Sequence, residues 1–239
     1  MLRVEDLSVA FRQHDGRLTR PLAGVSLTVA SGDCAGLIGG SGAGKSLIAE
    51  ALTGTLPRNA ELSGRIGVSG RIALAPQAVT ALDPLARAGT QIARMARLAG
   101  RRADPAALMA RLGLPEAALR AYPHELSGGM AKRVLIATAL ATGAGTLIAD
   151  EPTLGLDPGA ADRIMALLAG LAAEGTGVLI ISHDLPRLVA TTTRVTVLRE
   201  GRPVETVPAA AFPEGLTHPF TRALWDAQTW TATEWAEAC

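Results

Sequence analysis

Lysine is nearly missing from this chain. Of its 23 basic residues only Lys45 and Lys132 are lysines, and the rest are arginine. Aromatic residues are scarce as well, at 3%, which removes the stacking platforms that single-stranded nucleic-acid binders use. No charge of either sign dominates, and a net charge of +1 sets up no global field for nucleic acid. The two cysteines, Cys34 and Cys239, form neither a disulfide framework nor a metal spacing, so Cys34 reads as a small core residue. Long hydrophobic runs are absent. The longest uncharged stretch, Val134–Ala149, has 16 residues, includes Gly143 and Gly145, and falls short of the roughly 20 apolar residues of a spanning helix. The opening MLRVEDLSVAF places Glu5 and Asp6 where a signal peptide carries its apolar centre. A soluble, cytosolic protein is the expectation. With 239 residues, 48% hydrophobic, the chain suits one large domain or a core with an inserted lobe.

What is present begins with Gly39–Ser46, GGSGAGKS, which fits the phosphate-loop pattern G-x-x-x-x-G-K-[ST]. Glycines let backbone N–H groups wrap a polyphosphate, and the following helix points its positive end at the same anion. Lys45 supplies a point charge to the β- and γ-phosphates, and the Ser46 hydroxyl holds Mg²⁺. The flanks agree. Cys34–Ile38 is a short buried-strand run, and Leu47, Ile48, Ala51 and Leu52 recur at helical spacing.

Along the rest of the chain, Arg3–Phe11 and Val25–Val29 alternate like half-buried antiparallel strands, with Gln13–Arg20 a polar connection. Arg65–Val68 and Arg71–Ala75 are short β-rich runs joined through Ser69 and Gly70. Residues 78–140 are rich in Ala, Arg and Leu and read as mainly helical, with Ile92, Met95, Ala96 and Ala99 forming one stripe. The α/β alternation then returns. Thr146–Ala149 and Val178–Ile181 are buried strands, and Asp157 followed by Pro158 starts an amphipathic helix. Val195–Leu198 and Pro203–Val207 make a hairpin.

Three further motifs carry chemistry. Thr146–Glu151, TLIADE, is a strand ending in two acids. Asp150 is placed to hold the Mg²⁺ shell, and Glu151 to act as general base toward an attacking water. Leu126–Met130, LSGGM, puts Ser127 at a helix N-cap with Gly128 and Gly129 opening the helix, a second anion cradle without a lysine. His183, in ISHD, follows a strand on the rim where α/β proteins bind ligands. It is either an ordinary exposed histidine or a γ-phosphate contact. Gln77, also at a strand end, is either a turn residue or a group that reaches metal or water.

Taken in order, GGSGAGKS, Gln77, LSGGM, LIADEP, Asp157 and His183 resemble the nucleotide-binding subunit of ATP-binding-cassette (ABC) transporters over about residues 1–225. The resemblance implies an α/β P-loop NTPase core with an N-terminal antiparallel β subdomain and an inserted helical subdomain. The core takes residues 1–77 and 141–239, and the helical part 78–140. It implies ATP and Mg²⁺ as cofactors. Gly39, Gly40, Ser41, Gly42, Ala43, Gly44, Lys45, Ser46 and Leu47 grip the phosphates. Ser46, Gln77 and Asp150 belong to the metal, and Glu151, His183 and Gln77 to catalysis. Ser127, Gly128 and Gly129 contact the γ-phosphate held by a partner cassette, and Asp157 crosses the dimer. Phe11 matches the aromatic that stacks on adenine, or else is a core-facing strand residue.

Ala78–Pro84, AVTALDP, and Thr217–Ala227, THPFTRALWDA, look like the P-x-T-S-L-N-P and T-H-P-Y-T-x-A-L stretches of dipeptide, oligopeptide and nickel importers. The GGSGAGKSL loop is closer to the nickel version. Ala131-Lys132 departs from the more usual arginine-glutamine after LSGGM. The implied partners are a second ABC ATPase subunit, integral membrane permeases and, indirectly, an extracytoplasmic solute-binding protein. The implied location is the cytoplasmic face of the cell membrane. A non-transport ABC ATPase, such as one serving cluster assembly, is the alternative.

Overall fold

The computed structural model describes residues 1–13, 15–40 and 42–229. Its first part runs β1 (Leu2–Arg12), β2 (Leu18–Val29), β3 (Cys34–Gly39), α1 (Lys45–Thr53), β4 (Ala60–Val68) and β5 (Ile72–Ala75). Helices follow: α2 (Ala88–Leu98), α3 (Pro105–Arg111) and α4 (Gly128–Ala141), with short 3₁₀ turns between them. The last part runs β6 (Thr146–Asp150), α5 (Pro158–Ala173), β7 (Gly177–Ser182), α6 (Leu185–Thr191), β8 (Arg194–Arg199), β9 (Arg202–Pro208) and α7 (Pro219–Thr229).

β2, β1 and β4 form an antiparallel sheet in that order. In β1 the buried positions are Leu2 and Val4, then Leu7 and Val9. The parity changes because a register shift falls between Val4 and Leu7, with Asp6 at φ 52. A bulge of this kind lets one strand keep its apolar face inward after an extra residue. Gly64 in β4 completes it: at φ +96, an added Cβ would sit 2.4 Å from the Asp6 carbonyl oxygen. β2 begins earlier than the sequence suggests, since Leu18 and Thr19 pair with Arg12 and Phe11. The polar connection is therefore shorter than Gln13–Arg20. β4 is likewise longer than Arg65–Val68; it is almost wholly exposed, so burial left no alternation to read. β4 and β5 adjoin in sequence but enter different sheets.

The second sheet has the order β5-β6-β7-β3-β8-β9. Its first five strands are parallel and β9 is antiparallel to β8, giving the hairpin expected around Glu200 and Gly201. The central strands are covered on both faces: every residue of β3, β6 and β7 is buried. Continuous apolar runs are what a doubly covered parallel sheet demands, at roughly 1.5–3 kcal/mol for each large side chain buried. α4 packs on β5 and α2, and α2 buries Ala88, Gln91, Ile92 and Ala96. Met95, expected on that stripe, is 37% exposed.

Cys34 is buried at the start of β3. Burial, helped by the neighbouring Asp33 charge, pushes its thiol pKa up to about 12. At pH 8 it is therefore almost wholly protonated and inert. In a Cys239→Ser background, native protein is expected to stay unlabelled by a maleimide over an hour and to label fully in denaturant. Prompt native labelling would contradict this burial.

Candidate active site

Parallel pairing along β5-β6-β7-β3 sets four carboxyl ends at one edge of the sheet. The segments that leave this edge carry Gln77, the Asp150–Glu151 pair, His183 and the Gly39–Ser46 loop. They enclose an open cleft of about 570 Å³ lined by Gly42 to Leu47, Gln77, Asp150, Glu151, Leu154 and His183. Ligand clefts of α/β proteins form at this edge, where the strand order changes direction.

The loop is shaped by its glycines. Gly42 and Gly44 take φ +75 and +90, a region costly for other residues. Gly44 is the N-cap of α1, so the unpaired N–H groups of the first turn begin at Lys45. The Ala43 N–H donates to the Gly40 carbonyl at 3.2 Å. Lys45 Nζ donates to the Gly39 and Gly40 carbonyls at 2.7 and 3.2 Å, holding the ammonium inside the loop. Ser41 lies outside the described residues.

Across the cleft, Asp150 and Glu151 are 8% and 7% exposed. Burial and the adjacent Glu151 charge push the Asp150 pKa up, against the pull of Lys45 and Lys132. Glu151 is one of few non-glycine residues with positive φ, at 45°. Its N–H donates to the Ile181 carbonyl at 2.8 Å, and its Oε2 lies 2.7 Å from His183 Nδ1. A carboxylate fixed by an imidazole at the rim of a phosphate-sized cleft can polarise a water.

Sequence reasoning missed Lys132 as a member of this site. Its side chain is 6% exposed. Its Nζ donates to the Gln77 carbonyl and, at 3.1 Å, to the Glu151 carbonyl. Burial lowers its pKa while Asp150 and Glu151 raise it. The rarity of lysine in the chain was the available signal.

The other sequence-marked residues do not line the cleft. Ser127 caps α4, accepting from the Met130 N–H at 3.3 Å, and Asp157 caps α5, accepting from the Ala160 N–H at 2.9 Å. The two helix starts are neighbours: a Cβ on Gly128 would touch Leu156 at 3.3 Å. Ser127, Gly128 and Asp157 are exposed. Leu154 lines the cleft and Leu156 reaches the α4 end, so residues 154–156 join the two features. Phe11 pairs with Thr19 and Ala60 and packs against the core beneath the first sheet, away from the cleft lining.

Residues 22–154 match the family described as ABC transporter. That span runs from within β2 through the loop, α4 and the acid pair. The chain belongs to the ABC transporter family. Members hydrolyse ATP to power transport, and this chain is such an ATPase. It is 36% identical to a Sinorhizobium fredii protein that carries the name peptide ABC transporter ATP-binding protein, covering 94% of this chain and 75% of that one. It is 34% identical to the oligopeptide transport ATP-binding protein OppD of Mycobacterium tuberculosis, covering 94% of this chain and 41% of OppD. Among solved structures it resembles CbiO1 of Clostridium perfringens, part of the cbiONQ ABC transporter complex, with a TM-score of 0.71 and 26% identity over 94% of this chain and 98% of that one. A dimeric cassette bound to ADP and Pi shares the fold, with a TM-score of 0.76 and 23% identity over 87% of this ABC ATPase and 99% of that chain. Among the described residues no helix is long and apolar enough to cross a membrane.

Proposed function

We propose that this ABC ATPase drives peptide uptake as one of two cassettes that close on ATP at the cytoplasmic face of the cell membrane. The observation that carries the reading is the Glu151 carboxylate, buried and held by His183 in the same cleft as Lys45. Gly39 to Leu47 cradle the phosphates, with Lys45 on the β,γ-oxygens. Glu151 takes the proton of the attacking water, and His183 orients that carboxylate and meets the γ-phosphate. The exposed starts of α4 and α5 face the partner, so that Ser127, Gly128 and Gly129 close over the partner's ATP and Asp157 crosses the interface. Phe11, near the end of β1, is the residue assigned to stack on adenine. ATP bridges the two faces, and loss of the γ-phosphate releases them.

The donor set fits Mg²⁺. Ser46 offers a hydroxyl, Asp150 a carboxylate and Gln77 an amide oxygen, all in one cleft. Burial and the Glu151 charge push the Asp150 pKa up, a cost that a bound cation would offset. Mg²⁺ keeps few protein ligands and completes its shell with phosphate and water. When bound it neutralises charge between the β- and γ-phosphates.

In this reading residues 1–77 and 141–239 form the ATP-binding core, and 78–140 the helical part that passes motion from Gln77 to permease subunits. The names of the relatives favour peptide over nickel as cargo. The test is affinity purification of the tagged chain from detergent-solubilised native membranes. Integral membrane subunits and a second ATPase are expected in stoichiometric yield. Recovery of the active ATPase alone, in several mild detergents, counts against a transport role.

A further inference from the structure

We propose that Lys132 is a positioning residue that holds the catalytic carboxylate of Glu151 in its working orientation and ties it to the Gln77 segment and to α4. The inference rests on the reading of Glu151 as the base. Three observations meet at one nitrogen. Lys132 lies in the second turn of α4, five residues past the Ser127 cap. Its Nζ donates to the carbonyls of Gln77 and Glu151, which leave the ends of β5 and β6. Its side chain is among the few charged ones that are buried.

The backbone of Glu151 explains why such a tie is needed. At φ 45° it occupies a region that a side chain with Cβ avoids. Left alone, the residue would relax to negative φ and swing its carboxylate away from His183. Both peptide groups flanking its Cα are fixed instead. The N–H is held by the Ile181 carbonyl at 2.8 Å, and the C=O by Lys132. The side chain is then aimed into the cleft, 2.7 Å from His183 Nδ1. A buried ammonium is costly unless paired and hydrogen-bonded. Two carbonyls meet that need here, with the Asp150 and Glu151 carboxylates close enough to act on its charge.

The same lysine links two faces of the molecule. The α4 start is exposed and, in the dimer, meets the partner's ATP. A helix is stiff over two turns, so a shift at Ser127 reaches Lys132 and, through it, both Gln77 and the base. The amine thus reports the partner's site to this one.

The experiment is a double-mutant cycle in steady-state ATP hydrolysis, with labelled-ATP titration on the same samples. Lys132→Met keeps volume and removes the donor. It is expected to lower kcat at least about tenfold, since a displacement near 1 Å can cost ~10²-fold, with ATP affinity within about twofold of the parent. Lys132→Arg keeps a cationic donor and is expected to retain at least about a third of the parent kcat. In a Glu151→Gln background, Lys132→Met is expected to cause no further loss, because the two act as a unit. If the Met variant does not bind labelled ATP, Lys132→Leu, which also lacks a donor, carries the same cycle, with a loss in kcat that vanishes in the Glu151→Gln background. The proposal is overturned by a Met variant with parent kcat, by equal losses in Met and Arg, or by an undiminished second loss over Glu151→Gln. Parent-rate hydrolysis by Glu151→Gln itself instead overturns the assignment of the base.

Discussion

Glu151→Gln is expected to bind ATP with parent affinity and lose hydrolysis by about 10²–10⁴-fold, the range a positioned general base contributes. The substitution keeps the shape of the side chain and a hydrogen-bond partner for His183. It removes the negative charge and the basic oxygen that accepts the proton of water. With hydrolysis blocked and ATP retained, the bridging γ-phosphate persists. The variant is therefore expected to elute as a dimer in ATP and a monomer without it, measured by light scattering behind size exclusion.

Stability supplies an independent check on Glu151→Gln. Asp150 has a folded pKa raised by burial and by the Glu151 charge. For an acid raised in the folded state, ionisation costs stability, and the cost is felt as pH rises through the folded pKa. Removing the Glu151 charge lowers that cost. The nucleotide-free variant is expected to melt no lower than the parent at pH 7, and the difference to shrink as the pH falls through the carboxylate range. A variant that hydrolyses at the parent rate, or one that melts far lower at pH 7, sinks this account of the acid pair.

The site was legible where chemistry forces composition. A loop that wraps phosphate needs glycines at positive φ and one ammonium, so GGSGAGKS marks itself. The acids at the end of β6 and His183 at the end of β7 could be placed from short apolar runs, because a doubly covered strand admits little else. The Ser127 and Asp157 caps were readable from local hydrogen-bonding chemistry. The illegible parts are tertiary. Nothing local says that Thr19 joins the ladder opposite Phe11, or that a β4 exposed along its length pairs with β1. Hydropathy barely marks a strand in which Ala60 and Ile66 alone are half-buried. Lys132 was marked as a site residue by nothing but the rarity of lysine, because its partners are main-chain oxygens of Gln77 and Glu151, which leave no trace in side-chain identity. The positive φ of Glu151 is hidden for the same reason, since its cause lies in two peptide groups fixed from outside the segment.

The other large effect is expected from Lys45→Ala: a loss of ATP affinity of about 10- to 150-fold, the equivalent of one charged hydrogen-bonded contact at ~1.5–3 kcal/mol. Two contributions are bundled in that loss. The ammonium gives up its charge on the phosphates. The Gly39 and Gly40 carbonyls also lose the donor that holds the loop closed at 2.7 and 3.2 Å. Titration with labelled ATP in EDTA and again in Mg²⁺ separates charge from metal. Lys45 acts on phosphate directly, so its loss is expected in both media. Asp150→Asn acts through the metal, and its loss is expected in Mg²⁺ alone. Melting temperature without nucleotide isolates the loop contribution, because no phosphate is then present for the ammonium to meet and only its bonds to the Gly39 and Gly40 carbonyls are lost. An affinity unchanged by Lys45→Ala in both media would mean that the ammonium never meets the triphosphate, and the cleft at the sheet edge would then need another ligand.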